Sequence, residues 1–590
     1  MTIQDKIGAL RNEMSNEGID AFIVYSADPH MSEYLPDEWL EREWISGFTG
    51  SAGFVVFTKD KAGLWTDSRY FVQAPTELKG SGIDLMKDGE DGTPHYIDWI
   101  IENIPAGGKV GVNALATAHN NWKSLLDKFA KNDIQLVDQP LLKNIWKDRS
   151  EAGEIAPIFI HPTELAGKSV EDKLAEIREE MKKSKATQHI ITALDDVAWT
   201  VNLRGADVDY NPVFLGYILV SDSTATLYVD ENKIDDKVRQ HLSDAKVSVK
   251  AYEAFFDDLK SMKDETILVS ATSNQSIFDA IENDNKVVEK AAPGNLMKAI
   301  KNEAELEGFR KVMVRDGVAM VNFLYWLKHE GCKQNLSEYE VGLKLREFRA
   351  KGENFVGESF GSIIGYQGNG AIVHYSASEE GAKTVKDEGS ILLDSGGQYK
   401  EGTTDITRVL VLGDVTEEFK QNCTLVLQGM IDLSLVQFPK GTRGVQLDAI
   451  ARMPLWLNSK DYGHGTGHGV GSFMNVHEGP QNIRKDMNDQ PLIPGMVLSN
   501  EPGFYVENKY GIRHENLVAV KEVEKTDFGT FYNFETLTIC PFFKDSIVAE
   551  MLTQPQKDWL NDYHAFCEEK LAPHLEGEVK EWFLEVVKPI

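Results

Sequence analysis

The chain opens on a helical pattern, "IQDKIGALRNEM", in which Ile7 and Leu10 share one face. It runs into "DAFIVYS", a short apolar run of strand type. The same order returns at an offset of 167, where "VEDKLAEIREEM" leads into "QHIITAL". Asp5, Lys6, Arg11, Glu13 and Met14 recur as Asp172, Lys173, Arg178, Glu180 and Met181, and Ile7 and Leu10 become Leu174 and Ile177. Each strand is followed by a tryptophan and a glycine turn, "WISGFTG" at Trp44 and "WTVNLRG" at Trp199. More strand pattern follows in "GFVVFT" and "AGLWTD", and again in "YILVS" and "ATLYVD". Helix, strand and turn recurring in order predict two similar α/β domains in tandem, residues 1–155 and 156–297, joined near "LLKNIWKDRSEAGEIAP".

A third domain, 298–590, begins with a long helical pattern, "NEAELEGFRKVMVRDGVAMVNFLYWLKHEG", acidic in its first turn and closed by Gly331. From Phe355 to Phe543 the pattern is mostly strands and turns, broken by helical "TEEFKQNCTLVLQGMIDLSLVQ" and "QLDAIARMPLWLNS". Two more helices are predicted in the tail, "PQKDWLNDYHAFCEEKLAPHL" and "GEVKEWFLEVVKPI", whose apolar stripe must pack somewhere.

Composition narrows the function classes. The chain has 590 residues, 42% of them hydrophobic and 26% charged, as in ordinary globular proteins. It has no apolar run long enough to span a membrane and no signal-peptide apolar stretch at its start. A net charge of −31 argues against nucleic acid or an anionic membrane as partner. Cys332, Cys423, Cys540 and Cys567 are scattered, which suits a reducing cytoplasm better than a disulfide framework.

The chemistry concentrates in the third domain. "GHGTGHGVG", Gly463–Gly471, brings His464 and His468 together on backbone too rich in glycine for a helix, and so reads as a loop or irregular strand. "ILLDSGGQYKEGTTDITRVLVL" reads as a hairpin. Asp394 and Asp405 are symmetric about the Tyr399–Lys400 junction, so a turn centred there sets them face to face. Two facing carboxylates repel by roughly 4 kcal/mol at 4 Å and an effective dielectric near 20, and the pair calls for a cation. "LSNEPGFYVENKYGIRHENLVAV" is a second hairpin, with Glu501 and Glu515 symmetric about Asn508. Four carboxylates and one histidine, His464 or His468, form a natural set for two divalent cations. Oxygen donors with a single nitrogen favour a first-row metal such as Mn²⁺ over a structural zinc. His374, in "GAIVHYSAS", which reads as a strand, and His477, in "FMNVHEGP", read by themselves as core or edge histidines. "GYQGNG" lacks the Lys-Ser/Thr of a phosphate loop and reads as a plain loop.

In this order, "DSGGQYKEGTTDITR", "HGTGHGVG" with "VHEGP", "NEPGFY" and "GIRHEN" resemble the metallo-aminopeptidases of the pita-bread (creatinase) fold. "ISGFTGSAGFVVFT", "LWTDSRYFVQA" and "NLRGADVDYNPVFLGY" are similar to the three-domain form of the Xaa-Pro aminopeptidases. The resemblance implies an α/β (α+β) chain, with two creatinase-N-like domains followed by a pita-bread catalytic domain and a helical extension. It implies metal ligands Asp394, Asp405, His468, Glu501 and Glu515, with His468 rather than His464 on metal. It places His374, His464, His477, Tyr505 and Arg513 beside the substrate, with Glu501 and those three histidines as catalytic candidates. The implied reaction is hydrolysis of the N-terminal Xaa-Pro bond by a hydroxide activated by two metal ions, in a cytoplasmic homodimer. A prolidase would use the same metals on dipeptides but usually carries one N-terminal domain. One departure is His514, where relatives often have an apolar residue; strand alternation should turn it away from the metals.

Overall fold

The computed structural model describes residues 1–149, 156–282 and 284–590. The expected limit between the first two domains adjoins residues 150–155, which lie outside the described residues. Two compact units are formed: one from 1–161 with 168–294, the other from 162–167 with 295–590.

In the first unit the repeat is a repeat of fold. One six-stranded sheet runs, edge to edge, Asp84–Lys87, Ala62–Thr66, Phe54–Thr58, Ala21–Tyr25, Lys109–Val112 and Gln135–Asp138. The other runs Val247–Ala251, Ala225–Val229, Gly216–Ser221, Gln188–Ile191, Thr266–Val269 and Lys286–Glu289. The connectivity is the same, and so is the mixture of antiparallel central pairs and parallel outer ones.

The recurring residues explain why the copies fold alike. Thr2 caps the helix Ile3–Glu17 by accepting from the Asp5 amide, and Ser169 caps Val170–Lys183 from Asp172. Lys6 donates to the Trp44 carbonyl at 2.8 Å with its ammonium 4.6 Å from the indole centre. Lys173 does the same to Trp199, at 2.9 and 4.2 Å. Arg11 donates to the Thr58 carbonyl and Arg178 to that of Ser221, each tying the helix to a strand of its sheet. The tryptophans themselves lie in short helices, Glu41–Ser46 and Leu194–Thr200, ahead of the turns.

The second unit is the α+β part. The long helix Glu303–His329 starts on an Asn302 capping box. It packs with the tail helices Gln554–Leu571 and Gly577–Val586 and shares one apolar core with Glu417–Leu435, formed by Phe309, Met313, Leu427, Ile431, Leu560, Leu571 and Phe583 among others. The apolar stripe of the tail is thus buried within its own chain. Around this core lie a six-stranded sheet and smaller sheets. In the six-stranded one, Val497–Asn500 sits between Asn516–Thr526 and the short strand Gly467–Gly469, which pairs onward with Glu478–Ile483.

The Glu501 hairpin has the expected register. Gly503 pairs with Arg513 and Val506 with Tyr510, with Asn508 at φ 60° in the turn, and Asn500 pairs with Asn516 beyond. Carried across Glu501–Pro502, that register sets Glu501 opposite Glu515. The Asp394 hairpin differs from expectation. Its turn is Lys400–Glu401, so Asp394 pairs with Thr407 and Ser395 with Ile406. Asp405 therefore lies diagonally from Asp394, still on the same face. The cause is tertiary: Arg315 on the long helix grips Glu401 at 3.2 Å, and Asn354 donates to it at 2.7 Å, drawing Glu401 into the turn.

Candidate metal centre

The glycines around His468 let a strand pass where no side chain fits. A Cβ on Gly467 would lie 2.0 Å from the Ser499 carbonyl oxygen, and one on Gly469 2.2 Å from that of Glu478. The Gly467–Gly469 strand is therefore pressed between its two neighbours, with a register irregularity after His468. His468 Nδ1 lies 2.9 Å from the Gly469 carbonyl, which can only accept, so Nδ1 carries the proton and Nε2 is turned outward. Nε2 lies 3.4 Å from Asp405 Oδ2 and 3.5 Å from Glu501 Oε1. Asp405, His468 and Glu515 each offer a ligand atom within 4.8 Å of the others.

The other acids close the set. Glu515 Oε2 accepts from the Thr407 hydroxyl at 2.7 Å, while its buried Oε1 has no hydrogen-bond partner among the described residues. Asp394 gives one oxygen to Arg513 Nη2, and its Oδ1 is likewise buried without a partner. Glu501 Oε1 accepts from the Ser499 hydroxyl at 3.1 Å. Burial raises the pKa of Asp394, Glu501 and Glu515, and the neighbouring carboxylates push each further; Glu501 reaches about 7 and Glu515 goes well above its ordinary value. Burial works against a charged His468, but Asp405 and Glu501 outweigh it and lift the imidazole to about 9. Buried ionised groups without partners are costly. Buried carboxylate oxygens without partners, in a cluster with an outward imidazole nitrogen, fit divalent cations, and oxygen predominates in the donor set.

Around this cluster the residues split as follows. His464 donates from Nδ1 to the Gly465 carbonyl, so Nε2 accepts from Tyr505 Oη at 2.8 Å. Tyr505 Oη in turn accepts from Arg513 Nη1 at 2.6 Å, which joins His464 to Asp394 through one chain of contacts. The two histidines of the glycine stretch thus face different partners. His477 packs edge-on against His468, ring centres 4.3 Å apart. His374 is not in a strand: after Ile363–Tyr366 the chain turns, and His374 follows Val373, whose carbonyl accepts from Arg513 Nη2 at 3.4 Å. His514 turns to the opposite face, with Nε2 3.1 Å from Cys423 Sγ and its ring edge-on to Phe542.

Several supporting residues had no signal in the sequence. Thr407 bridges the hairpins, donating to Glu515 and accepting from Arg513 Nε at 3.2 Å. Arg408, fully buried, donates to the carbonyls of Thr407, Glu515 and Cys540, holding one ligand candidate by its backbone. Glu478, paired in register with Gly469, buries its carboxylate against Lys301 Nζ and, at 3.4 Å, Lys298 Nζ. Only the two-residue spacing of Asp405 and Thr407 along one strand face could have pointed to any of them.

Comparison with known proteins gives the family. Residues 307–522 match the model of metallopeptidase family M24 and 530–590 its C-terminal region; 6–143 and 148–305 match two creatinase/prolidase N-terminal domain models. A probable Xaa-Pro aminopeptidase P of Fusarium vanettenii is 41% identical, over 97% of this chain and 96% of its own. This chain belongs to the Xaa-Pro aminopeptidase P family of M24 metallopeptidases. A second such relative, from Pyrenophora teres f. teres, is 39% identical over 99% of this member and 92% of its own length. The X-prolyl aminopeptidase of Caenorhabditis elegans, described as a cytosolic enzyme with a di-nuclear active site, superposes with a TM-score of 0.95 at 32% identity. It covers 100% of both chains. Two creatinase-type domains followed by an M24 catalytic domain are thus the architecture of this family member. No helix among the described residues is long and apolar enough to cross a membrane.

Proposed function

We propose that this protein removes the first residue from peptides with proline second, using two divalent metal ions, most suitably Mn²⁺, held by Asp394, Asp405, His468, Glu501 and Glu515. The observation that carries the reading is the cluster of Asp405, His468 and Glu515, with orphaned oxygens on Asp394 and Glu515, in a member of the Xaa-Pro aminopeptidase P family. We also infer domain limits of 1–155, 156–297 and 298–590, a cytoplasmic location and a homodimer. The location is supported by the likeness to the cytosolic nematode enzyme, and the dimer by family resemblance alone.

The bond before proline is a tertiary amide without an N–H, so a site that grips that N–H has no handle on it. Bound metal supplies polarisation of the scissile carbonyl and acidification of the attacking water. The remaining work belongs to side chains. Glu501 accepts the water's proton on its carboxylate and carries it to the proline nitrogen as that nitrogen leaves. His374 and His477 donate to the oxygen on which negative charge develops. His464, oriented by the Tyr505 hydroxyl at 2.8 Å, lines the substrate side and assists the proton's passage. Arg513 holds Asp394 and Tyr505 together and so fixes two walls at once.

The test compares an Arg-Pro-Pro tripeptide with a Gly-Pro dipeptide, using protein loaded with Mn²⁺. Release of arginine with little action on Gly-Pro is the expected result. Cleavage of Gly-Pro with the tripeptide inert would replace this reading with a dipeptidase.

A further inference from the structure

A heavily used carboxylate outside the acid cluster is that of Glu338, fully buried at the first position of the helix Glu338–Arg349. Its Oε1 accepts from the Tyr366 amide at 2.8 Å and from Asn369 Nδ2 at 3.1 Å. Its Oε2 accepts from Asn369 Nδ2 at 3.0 Å, Tyr375 Oη at 2.7 Å and the Lys383 amide at 2.8 Å. Its own amide donates to the Lys383 carbonyl at 2.9 Å, and Ser337 bridges to Thr384 beside it. One side chain thus gathers four residues that surround His374 in sequence, two before it and two after. From the other side, Arg513 holds the Val373 carbonyl. The turn that presents His374 is pinned between a buried anion and a buried cation.

We propose that Glu338 is a positioning residue for His374, acting by cinching the 366–383 loop around its carboxylate. This rests on the reading above that His374 contacts the substrate. The chemistry requires a carboxylate. Each oxygen faces one backbone N–H, a donor that cannot rotate away: Tyr366 at Oε1 and Lys383 at Oε2. Asn369 can flip its amide and the Tyr375 hydroxyl can turn, but those two N–H groups cannot adapt. A glutamine in either orientation must therefore point its NH₂ at one of them, leaving that donor unsatisfied. The turn then relaxes, and a displacement of about 1 Å at a reacting group costs on the order of 100-fold in rate.

The experiment is a double-mutant cycle of Glu338→Gln and His374→Ala in Mn²⁺-loaded protein, read by kcat and KM on a Xaa-Pro tripeptide, by metal content and by amide exchange over 366–383. Wild-type turnover is measured first, so failure of the functional reading shows before any variant is made. A silent His374→Ala likewise overturns the role of His374, and with it this proposal. The expected result is that Glu338→Gln lowers kcat by up to about 100-fold, with KM and metal content little changed and faster exchange at Tyr366 and Lys383. In the His374→Ala background the same change should cost nothing further. Tyr375→Phe, which removes one bond of the clamp and serves if Glu338→Gln does not fold, should show a smaller loss with the same dependence on His374. Independent, additive losses, or wild-type kcat in the clamp variants, would overturn the proposal.

Discussion

The hairpin carrying Glu501 and Glu515 turns about Asn508, and its two acids face each other. The hairpin carrying Asp394 and Asp405 turns at Lys400–Glu401, and its acids are staggered by two residues. The stagger has two consequences. Thr407 takes the place opposite Asp394 and, from there, its hydroxyl reaches across to Glu515 at 2.7 Å. Asp394 is free to give one oxygen to Arg513, whereas among the described residues neither glutamate carboxylate pairs with a guanidinium; Arg408 reaches only the backbone carbonyl of Glu515. Facing acids and staggered acids should therefore fail differently when they are altered, the first pair in chemistry and the second mainly in metal affinity.

The largest effect is expected at the facing pair. Glu501→Gln keeps an oxygen that can bind metal but cannot accept a proton at neutral pH, so turnover should fall by about 10²–10⁴-fold, even in excess Mn²⁺. Asp394→Asn should recover part of its activity as Mn²⁺ is raised. Equal rescue of both variants would erase the distinction. Next in size is the histidine between the hairpins. His468→Ala should lose bound metal, whereas His464→Ala should keep it and lose turnover. Metal analysis of the purified variants decides, and equal loss from both would contradict the separate roles of the two rings. Thr407→Val probes the stagger itself. Losing an outer partner of a ligand typically costs 10–100-fold in metal affinity, measurable by titration calorimetry; an unchanged affinity would mean that Glu515 needs no bridge. The smallest effect belongs to His514→Leu. That ring points to Cys423 and Phe542, away from the acids, so kcat and metal affinity should match wild type.

The same contrast shows what could be read from the chain. The Glu501 hairpin was legible because "ENKYG" marks its own turn locally and strand symmetry does the rest. The Asp394 hairpin was legible as a hairpin but not in its register, because Glu401 is drawn into its turn by Arg315, a partner 86 residues away that no local pattern announces. His374 misled for a similar reason: "AIVHYS" carries the β-branched and aromatic residues of a strand, yet the Glu338 carboxylate, from the helix Glu338–Arg349, ties Tyr375 into a turn. The tandem domains were legible because their folding contacts reside in the recurring residues, with Lys6 and Lys173 reaching the carbonyls of Trp44 and Trp199 alike. The clustering of Asp405, His468 and Glu515 was legible in the sequence as acids and a histidine brought together. The choice between His464 and His468 came from family resemblance, since glycine spacing alone allows either ring.

The buried ion cluster of Lys298, Lys301 and Glu478 bears on how the chain can be divided. Judged by helices alone, a catalytic fragment would start at Glu303, where the long helix begins. Such a cut discards both ammonium groups and leaves the Glu478 carboxylate sealed in the interior with no counter-charge. Stranding one member of a buried ion pair typically costs about 3–5 kcal/mol, a large part of the stability of an ordinary domain. The damage would fall on the strand that holds Gly469 in register beside His468. Electroneutrality is therefore expected to limit how far the peptidase half can be trimmed, and any shortened version should retain Lys298 and Lys301.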